Sequence, residues 1–234
     1  MPVARIKNSR GQLLIDQNFF SLGLTSRGTV VTPAKNNGAA LSFVSVTLPH
    51  SQGILAFTAP EFTALWYTSY GQGTVTHTFA SPYVGVQIEY FLFDLPELAT
   101  VNPNHAKLIL RNPDTRRTIF DSRIPYVRAV EALNFSVVFG DGSPSQYDYN
   151  YPGKKLAIVQ CKRAVLTEVE VVPDDPTRPL IVAAYGSSFA KAAGGQASVV
   201  KMNNYAAQNY RGGTVPQRTA SLDGAYLIID VTNY

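Results

Sequence analysis

At 234 residues the chain is long enough to bury a substantial core, as one large all-β domain or as two small ones. Hydrophobic residues make up 45% and charged residues only 15%, well below the usual fraction of about a quarter, so the polar exterior has to come from Ser, Thr, Asn, Gln and Tyr; this suits β structure and tight assembly better than a free cytosolic enzyme. The net charge is a mild +4, one cysteine excludes an intrachain disulfide framework, and no run approaches the roughly 18 apolar residues of a membrane helix.

The opening predicts a hairpin, with Ala4–Lys7 and Gln12–Asp16 around Asn8-Ser9-Arg10-Gly11, where Gly11 takes the left-handed position. Strands are then expected at Gly28–Thr32, Ala40–Leu48, Gly53–Thr58, Phe62–Ser69, Gly73–Phe79 and Gly85–Phe93. A second hairpin pairs Lys107–Arg111 with Arg116–Asp121 around Asn112-Pro113-Asp114-Thr115, a turn rich in residues that bond nearby backbone. Further strands are expected at Asn134–Phe139, Lys155–Gln160, Arg163–Val172, Leu180–Tyr185, Ser198–Met202 and Gly224–Val231. Only Arg123–Leu133 and the short Phe189–Ala193 tempt a helix assignment.

Turn residues every eight to twelve positions or so predict an all-β fold, an antiparallel β-sandwich with little helix. Three prolines in 173–179 mark a stiff connector. The division expected is a main sandwich over 1–172 and a C-terminal β segment, 180–234, docked on it, with a single domain as the alternative.

Motifs of catalysis are missing from the sequence. Gly71-Gln72-Gly73 lacks the third glycine and the lysine of a phosphate loop, and no Gly-x-Ser-x-Gly elbow occurs. His50, His77 and His105 are scattered, with no Cys-x-x-Cys to complete a zinc site. Glu168 and Glu170 share a strand face, but nothing singles them out as a dyad. Asp141-Gly142 and Asp148 lack the alternating oxygen ligands of a calcium loop. Cys161 lies in a strand-like run and is expected to be a buried, inert thiol, and Trp66 a core residue. No enzyme activity, metal or cofactor is therefore expected. Basic residues gather between Lys107 and Arg163, but interleaved acids dilute the field that a nucleic-acid partner needs. After Met1 no apolar stretch leads to a small-residue cleavage site, so no signal peptide is expected.

Two stretches read as contact surfaces. In Ser143–Gly153 the alternating Tyr147, Tyr149 and Tyr151 place three rings on one face, either for a partner or sugar, or as a cross-strand aromatic cluster. In Asn203–Gly213 an exposed loop is expected, offering Asn203, Asn204, Tyr205, Tyr210 and Arg211.

Three pieces carry a resemblance: Ala4–Leu24 (ARIKNSRGQLLIDQNFFSLGL), Ala106–Val130 (AKLILRNPDTRRTIFDSRIPYVRAV) with its Phe-Asp-Ser close and following Tyr-Val-Arg, and Gly224–Tyr234 (GAYLIIDVTNY). The chain resembles the small β-rich tail-tip and tail-fibre-associated proteins of long-tailed bacteriophages and related prophages, although it has Asn112-Pro113-Asp114 where that family carries a glycine turn. The resemblance implies a structural protein of the virion tail tip or baseplate, made in the host cytoplasm. It implies docking on fibre or hub proteins in symmetric multiple copies, contact with a host surface glycan, and no catalytic residues. The alternative is a carbohydrate-binding, receptor-binding module that uses the exposed Tyr and Asn residues.

Overall fold

The structure, a computed structural model, describes residues 5–7, 13–16, 21–36, 39–49, 53–105, 107–112, 114–137, 145–172, 180–211 and 219–234, with only the backbone course described for 5–7, 13–16, 172, 202–210 and 219. Antiparallel sheets curl into a half-barrel. Among the described residues the helical content is one 3-10 turn, Pro96–Leu98.

The strands are β1 (Arg5–Lys7), β2 (Leu13–Asp16), β3 (Gly23–Val31), β4 (Ser42–Pro49), β5 (Ile54–Gly71), β6 (Thr74–Ser81), β7 (Gln87–Asp94), β8 (Ile109–Arg111) and β9 (Thr118–Asp121). They continue with β10 (Ala129–Ser136), β11 (Gln146–Asn150), β12 (Leu156–Lys162), β13 (Val165–Val172), β14 (Leu180–Ala193), β15 (Gln196–Arg211), β16 (Thr219–Ser221) and β17 (Asp223–Asp230). Both expected hairpins are present as the ribbons β1–β2 and β8–β9; the first one's turn, 8–11, lies outside the described residues. The other strands join one hydrogen-bonded network whose main path runs β10-β17-β12-β5-β14-β13-β16.

Strand β5 organises this network. Its first part, Ile54–Thr58, pairs with β7 and touches β12; Ala59 and Thr63 meet β14; Ala64–Gly71 pairs with β6. Pro60 and Glu61 suggest two strands in the sequence, but the chain continues through them. Pro60 is exposed where β5 exchanges partners, a position at which no ladder N–H is required.

The sheet around β12 is buried on both sides, which explains why Leu156–Val159 is a continuous apolar run and not an alternating one. Leu156 and Ile158 face a central core with Phe57, Phe79, Ile88, Phe135 and Ile228. Ala157 and Val159 face an outer core with Leu24, Phe91, Phe93, Ile229 and Val231. Inside the central core the Tyr226 hydroxyl and Ser188 Oγ share a 2.6 Å hydrogen bond, and burial pushes the phenol up to about 12.

Four local expectations are corrected. Part of Arg123–Leu133 is extended: from Ala129 the backbone pairs with β17 through a bulge. Phe189–Ala193 is the end of β14, and residues 203–211 are not a loop but the second half of β15, paired with β14 from Leu180↔Arg211 onward. Cys161 is exposed, not buried. The reason is a register shift: Gln160 faces Tyr226 and Lys162 faces Ala225, so Cys161 is the extra residue of a bulge and leaves the ladder. The segment after the connector is hydrogen-bonded into the same network, since β14 pairs with β5 and β17 lies between β10 and β12. The connector itself, 173–179, lies outside the described residues.

Candidate functional site

The most closely knit polar region lies over the outer core, where distant segments meet. Leu24 N–H donates to Pro125 O at 2.8 Å, Val127 N–H donates to Leu22 O at 3.0 Å, and Gly23 bridges Tyr126. Gly23 is needed for this approach: a Cβ there would lie 2.6 Å from Ile124 Cγ2 and 2.7 Å from Ala99 Cβ. Arg128 reaches the other way, with Nη2 donating to Thr232 O at 2.6 Å and an ion pair to Asp230 at 3.6 Å. Its guanidinium lies 4.7 Å above the Tyr234 ring. That ring meets Phe93 edge-on, its hydroxyl donates to Tyr126 O, and its carbonyl accepts from Arg27.

The Phe-Asp-Ser close of the hairpin is the knot of this junction. Phe120 stacks on Tyr126 at 5.3 Å. The Asp121 N–H donates to Tyr126 Oη at 2.6 Å. The Asp121 carboxylate accepts a fork from Arg123, Nε at 2.9 Å and Nη2 at 2.7 Å. That fork holds the Asp121 carboxyl below the usual carboxylate range despite the opposing effect of burial. The three pieces that carry the sequence resemblance, 4–24, 106–130 and 224–234, are thus tied to one another through Leu22, Leu24, Pro125–Arg128, Asp230, Thr232 and Tyr234. The sequence marks each piece, but nothing in it marks their meeting.

The tyrosine row lies on one face of β11 as its alternation predicts. That face packs inward: Tyr147, Tyr149 and Tyr151 are half-buried against the central core. Tyr147 stacks on Phe135 at 6.0 Å, and Tyr151 Oη donates to Glu131 at 3.2 Å. Burial raises the Tyr149 and Tyr151 hydroxyls, with the nearby Glu131 adding to it. The cross-strand cluster is the arrangement observed. Asn203, Asn204, Tyr205 and Tyr210 belong to β15, and their side chains lie outside the described residues; Arg211, which ends that strand, is exposed.

The opposite face of β11 is a feature the tyrosine pattern hides. Gln146, Asp148 and Asn150 point the other way and, with Gln196 and Ser198 of β15 and Lys191 of β14, edge shallow grooves of about 230 and 300 Å³. Asp148 Oδ1 accepts from Ser198 Oγ at 2.6 Å and from Gln146 Nε2 at 2.7 Å, and these bonds lower its carboxyl. Trp66 is half-buried between Phe43 and Phe189, and Arg163 covers its ring at 3.8 Å.

Of the histidines, His77 is buried, its Nδ1 meets Thr68 Oγ1 at 3.0 Å, and burial lowers its pKa. His105 is exposed beside Asn102, and His50 lies outside the described residues, as do Asp141 and Gly142. Glu168 and Glu170 are both exposed on β13. Among the described residues no three of His, Cys, Asp and Glu converge as metal ligands, and no helix is long and apolar enough to cross a membrane. The chain matches no family model, no curated protein and no solved structure.

Proposed function

We propose that this chain is a structural and interaction protein of a bacteriophage tail tip, docking on fibre or hub proteins in several copies. The observation that carries the proposal is the junction over the outer core. The three separated pieces resembling tail-tip proteins make direct hydrogen bonds and ring contacts with one another. Sequence likeness alone does not require separated pieces to be neighbours in space. A shared framework in which Pro125–Arg128, following the Phe-Asp-Ser close, tie the hairpin to the first long strand and to the last accounts for both the likeness and the contacts.

The framework also suits a docking role. Asp121 pairs with Arg123, and Asp230 with Arg128 and Lys154, so these charges serve shape and give the β8–β9 ribbon a fixed base. Mass spectrometry of purified phage particles or tail-like particles from the source strain tests the proposal. The chain is expected in the mature particle, in stoichiometric ratio to the tail-tip proteins. Its absence from intact particles while it is present in the lysate refutes the assignment.

A further inference from the structure

Between the 3-10 turn and the tip of the β8–β9 ribbon lies an open concavity of about 590 Å³. Arg111, Arg116 and Arg117 line it with Thr115, Thr118 and Glu97. Among the described residues Glu97 answers one cation, with its Oε1 3.6 Å from Arg117 Nε. Among the described residues Arg111 and Arg116 form no ion pair, and both are exposed.

The tip fixes the backbone from which these side chains extend. Asn112 Oδ1 accepts the N–H groups of Asp114 and Thr115, each at 2.9 Å. Arg116 N–H donates to Asn112 O at 2.9 Å, and Asn112 N–H donates to Arg117 O at 2.9 Å. Arg116 sits at φ 61, a left-handed conformation that is unfavourable for a residue with a Cβ. Without arginine chemistry at this position, glycine would serve the turn better.

Guanidinium forks match the two oxygens of a carboxylate or phosphate. Two unanswered forks beside two hydroxyls and the exposed Leu98 combine the contacts a charged sugar needs. We propose that this concavity binds an acidic glycan, with Arg111 and Arg116 pairing its carboxylate or phosphate groups and Thr115 and Thr118 bonding its hydroxyls. The site stands apart from the junction and does not depend on the docking role.

Isothermal titration of the full chain with three oligosaccharides tests the site: a trigalacturonate, a phosphorylated mannose oligomer and neutral maltotriose. One or both acidic sugars should bind with Kd below about 1 mM, and the neutral sugar should not. Which acidic sugar binds identifies the source as uronate or phosphate. The double variant Arg111→Gln/Arg116→Gln should weaken that binding about tenfold or more at an unchanged melting midpoint. Lys35→Gln, an exposed cation on the β3–β4 connection, should leave it intact. Failure of both acidic sugars to bind, equal losses in the two variants, or tighter binding of a tetraglutamate peptide than of either sugar would overturn the proposal.

Discussion

At the base of the β8–β9 ribbon the Asp121–Arg123 pair closes at 2.7 Å, with 6% and 21% of the two side chains exposed. At the tip, Glu97 and Arg117 meet at 3.6 Å, with 35% and 61% exposed. The base uses its charges on one another, and Tyr126 closes over the Asp121 backbone. Among the described residues the tip leaves two of three guanidiniums without an ion pair, and its turn is held by its own backbone, Asn112 and Thr115. Within a dozen residues the same pair of side-chain types does two jobs: where solvent is excluded it fixes geometry, and where solvent has access the pairing is weak and the cation stays available.

The largest test of this contrast is Phe93→Ala. Phe93 is fully buried in the outer core and meets Tyr234 edge-on, so denaturant unfolding should show a loss of about 3–5 kcal/mol. Arg111→Ala at the tip should change stability by no more than about 0.5 kcal/mol. Comparable losses in the two variants would mean that the tip is part of the framework.

A smaller effect is expected of Asp121→Asn. The folded-state carboxyl is depressed by the Arg123 fork, below an unfolded value of about 3.9. Its contribution is therefore complete above that unfolded value and is lost as pH falls through the lower folded one. Thermal melts should place the variant a few degrees below the parent at pH 7, and the gap should shrink as the pH is lowered below about 4. A gap independent of pH would remove the charge from the explanation.

The smallest effect, and the one of opposite sign, belongs to Arg116→Gly. Relief of the left-handed backbone should raise stability by about 1 kcal/mol. Binding of the acidic sugar should weaken at the same time. A variant that gained stability with no loss of binding would separate the strained turn from the site.

How much of this was legible in the sequence depended on local punctuation. The two hairpins announce themselves through Gly11 and through Asn112, whose side chain bonds the turn as its residue type predicts. The long strands are less legible because their partners, not their own alternation, determine them. Residues 203–211 are polar and without period, yet they are extended because β14 lies alongside. The exposure of Cys161 is not legible because a single inserted residue turns a side chain out of the ladder, and no local signal marks the insertion. The alternation of Tyr147, Tyr149 and Tyr151 fixed a common face but not its direction, since Gln146, Asp148 and Asn150 alternate equally well. The arginines were visible as a cluster in sequence; the hollow they share with Glu97 is made by a distant 3-10 turn.

The bulge at Cys161 gives experimenters a handle. The sole thiol of the chain stands exposed at the bulge that interrupts the β12–β17 ladder, so one maleimide dye attaches at one known place without disturbing the interior. Partial burial raises the thiol pKa, which makes mildly alkaline buffer the better labelling medium. A fluorophore there would follow assembly into a larger particle, or release from it, in real time.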